Sequence, residues 1–392
     1  MTLNFRRHLF TIKSTAIRLT SLIAAALIII AFAAESRACT SAIIGAELNP
    51  SGRPILWKHR DTSNTDNKVE YVPASGDEHA YVALFNASDR DLKEAWMGMN
   101  DVGFAVMNTA SYNIKDDKVP AKNMDKEGFV MTRALKHCKS VDDFAMLLDT
   151  LPRPMGVEAN FGVIDASGNG AFFETNNHSY KRYNLSDAAN HVLVRTNYSH
   201  SGRPGEGYGF VREANANCLL APYVIEGKIT PELLTEDISR IFYHDGRKED
   251  YTVSGNSHLL DEDFIPRYKS TATVAIEGMK PVPLDEVNPG DIADEYIMWT
   301  GLGYPPVAEI RAVRCRPDGV EEELRGTSLN GHSVLADEAK AMRDDAFTTS
   351  GKKMYIDMRK LYKPDGSGFA QIVKRRNAIT YKREKERRDG GK

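Results

Sequence analysis

Apolar and polar positions divide the chain into an apolar leader, a long middle part with strand and helix periodicity, and a charged C-terminal part. The middle part opens with extended segments on either side of the turn sequence NPSGRP, which predicts a hairpin over residues 39–61. Further strand patterns cover residues 81–87 and 94–111, whereas apolar positions in residues 125–152 recur with helical spacing. The first half of the chain is therefore predicted to form strands and then helices.

Strand patterns return after this helical stretch. They predict a hairpin over residues 159–185 and a single strand over residues 191–199. A second helical stretch, residues 211–243, precedes a strand at residues 270–278 and two strands within residues 295–315. Because strands and helices form separate runs, the pattern favours an α+β fold with layered antiparallel sheets over a doubly wound parallel sheet.

The chain after residue 325 changes character, since it is rich in charged residues and is predicted to be helical. Its final segment, KRRNAITYKREKERRDGGK, has an excess of basic residues, which is typical of a solvated helix with a frayed end. We therefore expect three parts: a leader over residues 1–38, a main domain over residues 39–325 and a charged helical C-terminal extension over residues 326–392.

The leader has the features of a secretory signal peptide. Basic residues precede the apolar run of residues 22–34, and Ser36-Arg37-Ala38 provides a small-x-small cleavage site directly before Cys39. The run is shorter than the ~20 apolar residues that a membrane-spanning helix needs. We expect an exported protein, periplasmic or secreted, with no membrane span in its mature form. An uncleaved anchor and a lipoprotein signal that acylates Cys39 are the alternatives.

Charge and cysteine content narrow the function classes. The formal net charge is −3, and the predicted leader holds five of the 51 Lys and Arg residues but one of the 54 Asp and Glu residues. The mature chain is thus acidic, which disfavours a nucleic-acid partner. Four cysteines without metal-ligand spacing indicate neither a disulfide framework nor a metal site. No metal or cofactor is expected, and whether the protein is a homo-oligomer is open.

Cys39 would become the first residue of the mature protein if cleavage falls after Ala38. A first-residue cysteine carries a thiol and an α-amine, whose ordinary pKa values lie near ~8.5 and ~7.7–8.0. The amine can therefore accept the thiol proton near neutral pH, so that one residue supplies both nucleophile and base. No histidine triad is needed.

The segment that starts at Cys39, CTSAIIGAELNPSGRPILWKHRDTS, resembles the opening of N-terminal nucleophile hydrolases that cleave linear amides. This group includes the choloylglycine hydrolases, the penicillin V acylases and the isopenicillin N acyltransferase-like proteins. The resemblance implies a four-layer αββα sandwich of two antiparallel sheets flanked by helices. It also implies Cys39 as nucleophile and Asp61 as the residue that orients its α-amine.

Three further motifs, together with MWTGLGYPPVAEI, which resembles the closing strands of the family, extend the resemblance to about residue 315. The strand end in HVLVRTNYS implies Asn197 as a donor to the oxyanion of the tetrahedral intermediate, and the second donor is Asn108, from GMNDVGFAVMN, or a backbone N–H. FIPRYKSTATVA implies Arg267 as a late active-site arginine.

The segment WKHRD departs from the usual motif. Lys58 stands where the choloylglycine hydrolases usually carry an arginine, with Arg60 beside it, and this form is closer to the acyltransferase-like branch. Lys58, Arg60 and Trp57 are the candidate substrate-binding residues.

These expectations combine into one function. We expect an exported cysteine hydrolase that cleaves a linear, non-peptide amide of a small acylated amine or amino acid through a thioester acyl-enzyme. An amine acceptor in place of water would make it an acyltransferase, and the sequence leaves both open, as it leaves open which acyl amide is the substrate. The alternatives are a dipeptidase of the related Cys-Thr-Thr family and a non-catalytic envelope or lipid-anchored binding protein.

Overall fold

The computed structural model describes residues 39–253, 255–328 and 330–390. The predicted signal peptide lies outside the described residues. The helices, numbered in chain order, are α1 (Glu127–His137), α2 (Val141–Thr150), α3 (Phe210–Glu226), α4 (Pro289–Glu295), α5 (Val334–Ala346), α6 (Met358–Leu361) and α7 (Phe369–Gly390), with a π-helical segment at Leu233–Ile238.

The strands in the described residues, numbered in the same way, are β1 (Thr40–Ile44), β2 (Ile55–Asp61), β3 (Asn67–Val72), β4 (Tyr81–Asn86), β5 (Ala95–Asn100), β6 (Ala105–Ala110), β7 (Ala159–Ile164), β8 (Gly170–Thr175), β9 (Tyr180–Asn184), β10 (Val192–Arg195), β11 (Tyr243–His244), β12 (Glu249–Asp250), β13 (Leu259–Leu260), β14 (Ser270–Glu277), β15 (Ile297–Leu302), β16 (Ile310–Val313), β17 (Phe347–Ser350) and β18 (Lys353–Ile356).

Two large sheets contain most of these strands. The first has six strands in the order β10-β1-β2-β14-β15-β16, and the second has seven in the order β3-β4-β5-β6-β7-β8-β9. Every neighbouring pair in both sheets is antiparallel. The second sheet is a meander, whereas the first brings together strands that are far apart in sequence.

The two sheets pack face to face, and helices cover both outer faces. One apolar cluster lies between the sheets and joins Ile43 and Leu56 of the first to Val82 of the second. A second cluster packs the other face of the second sheet against α1 and α2. A third packs the other face of the first sheet against α3 and the π-helical segment. The layers are thus α, β, β and α, which confirms the α+β sandwich that the sequence predicted.

Burial on both faces explains the apolar composition of the central strands. All five residues of β1, TSAII, are buried, because Ile43 faces the inter-sheet core while Ala42 and Ile44 face the helices. Side chains alternate between the two faces of a strand, so a strand covered on both sides has apolar residues at consecutive positions. The same alternation separates Lys58 from Trp57 in β2, and this decides which of them reaches the site.

The C-terminal part contains a structure that the helical prediction missed. Residues 347–350 and 353–356 form the hairpin β17–β18, although the sequence favoured helix throughout this stretch. Gly351 at the turn has φ +62°, a conformation that glycine adopts without steric cost. Phe347 and Ile356 are buried in a fourth apolar cluster, so tertiary packing outweighs the helical preference of the neighbouring residues.

The final helix, α7, packs against the first sheet. Asn377 is fully buried and its Nδ2 donates to the Glu236 side chain, while the Tyr381 ring stacks on Trp299 with centroids 4.6 Å apart. These contacts join the charged extension to the main domain, and the boundary predicted at residue 325 stays a prediction. Among the described helices, none combines the length and the apolar character that crossing a bilayer requires.

Candidate active site

Antiparallel pairing brings the candidate residues to one edge of the sandwich. Ser41 pairs with Arg195 across β1 and β10, so continuing the register places Cys39 opposite Asn197. Asp61, at the end of β2, pairs with Ser270, the first residue of β14. The beginnings of β1 and β14 therefore lie beside the ends of β2 and β10, and residues from four distant parts of the sequence meet around Cys39.

Three contacts fix Cys39, whose exposed fraction is 7%. Its backbone nitrogen donates to Asn197 Oδ1 at 2.7 Å, and its carbonyl oxygen accepts from Arg212 Nη1 at 2.5 Å. Its thiol points to the Asp61 carbonyl oxygen, with Sγ and oxygen 3.7 Å apart. The nucleophile candidate is thus held by its backbone, while its sulfur makes only a weak hydrogen bond.

Arg212 is a site residue that the sequence analysis missed. It lies in the first turn of α3, is 2% exposed, and also donates from Nη2 to Asn197 Oδ1 at 2.8 Å. Burial, together with the positive charge of Arg267, lowers the pKa of Arg212 to about 10. The signal for it was weak, because Arg212 is one of several polar residues in the helical segment FVREANANCLL.

Gly209, which precedes α3, makes room for this guanidinium. Its φ is +93°, and a Cβ at this position would lie 2.4 Å from Arg212 Nη2 and 2.8 Å from Thr196 Oγ1. Neither contact is compatible with normal packing. The glycine thus allows the N-terminus of α3 to approach the end of β10 closely.

The Asn197 side chain connects Cys39 to Arg212. Its Oδ1 accepts from both Cys39 and Arg212, and its Nδ2 donates to the carbonyl oxygen of Ala110 at 2.9 Å. Two donors on one oxygen and an acceptor on the nitrogen fix the orientation of the amide. Since an amide nitrogen carries two hydrogens, one remains for a further acceptor.

The Asp61 carboxylate is held on the opposite face of β2 from Arg60. Its Oδ2 accepts from Arg267 Nη2 at 2.6 Å, and its Oδ1 accepts from Ser270 Oγ at 2.6 Å. Although burial opposes it, the Asp61 charge raises the pKa of Arg267. The sequence analysis expected Asp61 to accept a hydrogen bond from the Cys39 nitrogen. Among the described residues that nitrogen donates to Asn197 instead, and the Asp61 carboxylate binds Arg267 and Ser270.

Two titratable neighbours of this pair have strongly shifted pKa values. Burial lowers the pKa of His59 to about 4, so its imidazole is neutral at pH 7, and its Nε2 lies 2.8 Å from Ser270 Oγ. Burial raises the pKa of Asp261 to about 7, and Asp261 accepts from the Tyr268 backbone nitrogen. Neither residue was singled out by the sequence analysis, because only the tertiary structure buries them beside Asp61 and Arg267.

Lys58 lies on the inner face of β2 and connects the two sheets. Its Nζ donates to the Trp96 carbonyl oxygen at 2.8 Å and to Asn108 Oδ1 at 2.9 Å. Burial lowers the pKa of Lys58 to about 8, and the negative charge of a Cys39 thiolate partly opposes this decrease. The structure thus brings Lys58 and Asn108 into contact from facing sheets. The sequence analysis had proposed each of them separately.

The remaining two substrate-binding candidates occupy different places. Arg60 is 4% exposed and reaches the second sheet, where it donates to Asn67 Oδ1 at 2.5 Å and to Asn86 Oδ1 at 2.8 Å. Trp57 is fully buried on the opposite face of the first sheet, and its Nε1 donates to Thr273 Oγ1 at 3.2 Å. The structure does not bring Trp57 to Cys39, because adjacent strand residues point to opposite faces.

The described residues include two groups of side chains that could hold a metal ion, and both lie elsewhere in the chain. One group combines Asp66, His332 and Asp337, and another combines Asp116, Asp117 and His178. Within the described part of the chain, neither group includes Cys39 or a residue that contacts it. Around Cys39 the structure places a thiol, two amides and the cations Lys58, Arg212 and Arg267.

Comparisons with known proteins found a family match and several similar solved structures. Residues 77–215 match the family described as acyl-coenzyme A:6-aminopenicillanic acid acyltransferase. The matched stretch contains Asn108, Asn197 and Arg212, whereas Cys39 and Asp61 precede it. No functionally curated protein matches the chain.

Several solved structures are similar to the chain at low sequence identity. An N-acylethanolamine-hydrolyzing acid amidase ortholog of Caenorhabditis elegans is 15% identical, with a TM-score of 0.39, over 62% of this chain and 94% of its own. A variant of the conjugated bile acid hydrolase of Clostridium perfringens is 12% identical, with a TM-score of 0.40, over 70% of this chain and 92% of its own. Penicillin V acylase of Agrobacterium tumefaciens is 10% identical, with a TM-score of 0.35, over 70% of this chain and 86% of its own.

The family match over residues 77–215 includes the Asn108 and Asn197 motifs, on which part of the predicted resemblance rests. The Cys39 motif precedes it. Over that stretch the chain is similar to the acyl-coenzyme A:6-aminopenicillanic acid acyltransferase family, and its resemblance to the N-terminal nucleophile hydrolases is thereby confirmed.

Proposed function

We propose that this protein is an exported N-terminal cysteine hydrolase that cleaves a linear, non-peptide amide through a thioester acyl-enzyme. The observation that carries the proposal is the placement of the Cys39 backbone nitrogen, 2.7 Å from Asn197 Oδ1, beside a buried thiol. In the full-length chain this nitrogen belongs to a peptide bond with Ala38. Cleavage there would convert this nitrogen into an α-amine.

The α-amine then serves as the base. In its neutral form it takes the thiol proton, and the Cys39 sulfur forms a bond to the substrate carbonyl carbon. The C–N bond breaks as the α-ammonium returns that proton to the leaving amine. Water next attacks the thioester, the C–S bond breaks, and the acid leaves while the thiol regains a proton. Attack by an amine in place of water would give acyl transfer.

The tetrahedral intermediates carry a negative oxygen that needs hydrogen-bond donors. The second Nδ2 hydrogen of Asn197 and the Nδ2 group of Asn108 are the candidates, since each amide has its oxygen occupied by a donor. One donor of this kind lowers the activation free energy by roughly 2.7–4 kcal/mol. The positive charges of Lys58, Arg212 and Arg267 favour the same anion, because electrostatic interactions are stronger in a buried site.

Asp61 and Arg267 act on the geometry of the site. The carboxylate is bonded to Arg267 and Ser270, and the backbone carbonyl of the same residue accepts the Cys39 thiol hydrogen. Fixing the Asp61 side chain therefore fixes the acceptor that orients the sulfur. We assign Asp61 and Arg267 as positioning residues and Cys39 as the catalytic residue.

The test compares three forms of the protein. The first begins at Cys39, the second carries one additional alanine before Cys39, and the third begins at residue 39 with Cys39→Ala. Incubated with a set of acyl amides, only the first should release amine and show the mass of a thioester adduct. The second keeps the thiol but has no α-amine on Cys39.

Two outcomes would contradict the proposal. Turnover by the Cys39→Ala form would exclude the thiol as nucleophile. Equal turnover by the form with the additional alanine would show that the base is a group other than the Cys39 amine. Circular dichroism and a thermal midpoint within a few degrees of the first form would confirm that all three are folded.

A further inference from the structure

A cleft of about 530 Å³ lies beside the edge strand β3, away from the contacts of Cys39. Its walls include Lys68 of β3, Asn64 from the preceding loop, Ser88 and Arg90 from the loop after β4, and Asn330 from the C-terminal part. Lys68 points to the opposite face of β3 from Asn67, whose side chain binds Arg60 on the inner face. The cleft thus opens on the outer face of the sheet.

Lys68 is the unusual residue of this cleft. Its exposed fraction is 7%, and its ammonium makes no hydrogen bond or ion pair with any residue that the structure describes. Lysine is rarely buried to this extent unless it is paired, because burying an unpaired charge is costly. Its stem is covered by Gly326, where a Cβ would lie 2.7 Å from Lys68 Cδ, so the ammonium is directed to the cleft.

The nearby carboxylates already have partners. Glu70 accepts from Arg325 Nε at 3.1 Å and from the Gly326 backbone nitrogen at 3.1 Å. Asp66, which lines the cleft, pairs with Lys340 at 2.9 Å. Neither acid is therefore available to neutralise Lys68 without losing the contacts that hold it, so the Lys68 ammonium is open to an anion that enters the cleft.

Arg90 adds a second positive group to the lining of the cleft. It is exposed, and its guanidinium has no ion-pair or hydrogen-bond partner within the described ranges. A guanidinium presents a planar set of donors that matches carboxylate and phosphate oxygens. The neighbouring amides and hydroxyls of Asn64, Ser88 and Asn330 supply neutral hydrogen-bonding groups.

These charges also decide between an anion and a metal ion. Asp66, His332 and Asp337 lie close enough together to share a cation. However, Asp66 is paired with Lys340, and the His332 ring nitrogen Nδ1 lies 2.9 Å from Asp337 Oδ1. The groups of the cleft that have no partner are both positive, which favours a negatively charged ligand.

We propose that this cleft binds a small organic anion through Lys68 and Arg90, with a carboxylate or a phosphate as the recognised group. The cleft volume falls within the range of ~300–1,000 Å³ that is typical of small-molecule sites. The proposal is independent of the amide-cleaving function, because it uses no residue that contacts Cys39.

The experiment measures binding by isothermal titration calorimetry and by the shift in the thermal midpoint. The chain starting at Cys39 is titrated with sodium phosphate and, separately, with sodium glutarate, each against sodium chloride at equal ionic strength. We expect saturable binding of at least one anion, and Lys68→Met and Arg90→Gln should each weaken it by about tenfold or more. The relative affinities of the two anions identify the recognised group.

Two control variants make the result specific. Lys93→Met removes a surface lysine that is paired with Asp91 and should leave binding unchanged. Lys58→Met removes a cation of the Cys39 site and should also leave it unchanged. Arg90 is on the surface, so Arg90→Gln remains informative if Lys68→Met fails to fold.

Three results would overturn the proposal. The first is the absence of any saturable effect beyond that of chloride. The second is wild-type affinity in both Lys68→Met and Arg90→Gln, which would make Lys68 a lysine that merely extends to solvent. The third is loss of binding in Lys58→Met alone, which would place the anion at Cys39.

Discussion

The side-chain oxygen of Asn197 lies 2.7 Å from the backbone nitrogen of Cys39, although 158 residues separate them in sequence. The antiparallel register of β1 and β10 brings them opposite each other, and Arg212 bonds to both. Asn197 is thus fixed relative to Cys39 by backbone pairing as well as by its own contacts.

Replacing Asn197 by alanine removes the acceptor of the Cys39 nitrogen and a candidate oxyanion donor together. We expect kcat to fall by about 10²–10³, the usual effect of losing one oxyanion donor. Steady-state kinetics of the form that starts at Cys39 measures this, with Asn190→Ala as a control at an exposed asparagine before β10. A decrease of less than threefold would remove Asn197 from the proposed mechanism.

Arg212→Lys tests whether Arg212 positions Cys39 and Asn197. Lysine keeps the positive charge but cannot contact the Cys39 carbonyl, Thr40 Oγ1 and Asn197 Oδ1 with one fixed fork of donors. We expect kcat to fall about tenfold or more while KM changes little, because the substrate contacts remain. The exposed Arg203→Lys is the matched control, and an increase in KM with unchanged kcat would contradict the assignment.

The pH dependence of activity should report Lys58. Burial lowers the pKa of Lys58 to about 8, so its positive charge is present below this pH and is lost as the pH rises through it. We expect kcat/KM to decrease on the alkaline side near pH 8, and Lys58→Arg to move that limb to higher pH while the acid limb stays. An alkaline limb that is unchanged in Lys58→Arg would assign it to another group.

The lowered pKa of Lys58 should also make the folded protein more stable as the pH rises, whereas the activity falls. The unfolded chain keeps Lys58 protonated up to about its ordinary pKa of 10.5, so between pH 8 and 10.5 it binds more protons than the folded protein. The free energy of unfolding attributable to this residue therefore increases across that window, by about 3 kcal/mol in total. Denaturant titrations of wild type and Lys58→Met at pH 7.5 and 10 measure the difference, which should be absent from the variant.

Trp57→Phe separates a core role from substrate binding. Trp57 is fully buried against the helical layer, and its Nε1 bonds to Ser239 and Thr273. We expect the free energy of unfolding to fall by about 1–3 kcal/mol, as for other changes in a buried core, while KM stays within twofold. A large rise in KM without loss of stability would return Trp57 to the substrate site.

Much of this architecture was predictable from local pattern. The hairpin of residues 39–61 appears as β1 and β2, and the helices α1 and α2 fall within the predicted helical stretch. Strand β3 was missed, although Lys68, Val69, Glu70 and Tyr71 alternate polar and apolar residues as a half-buried strand does. The alternation covers only a few residues, and the position of β3 at an edge of the sheet is set by its pairing with β4.

The sequence by itself determined that a cysteine follows a signal-like leader and opens a predicted strand, and that Asn197 and Arg267 flank later strands. The residue types and the alternation of apolar positions suffice for this, since both are local properties. Only the tertiary structure decided that Asn197 bonds to the Cys39 nitrogen, that Arg212 joins them, and that Trp57 lies in the core. Strand order and register depend on contacts between distant segments, and no local pattern specifies which strand pairs with which.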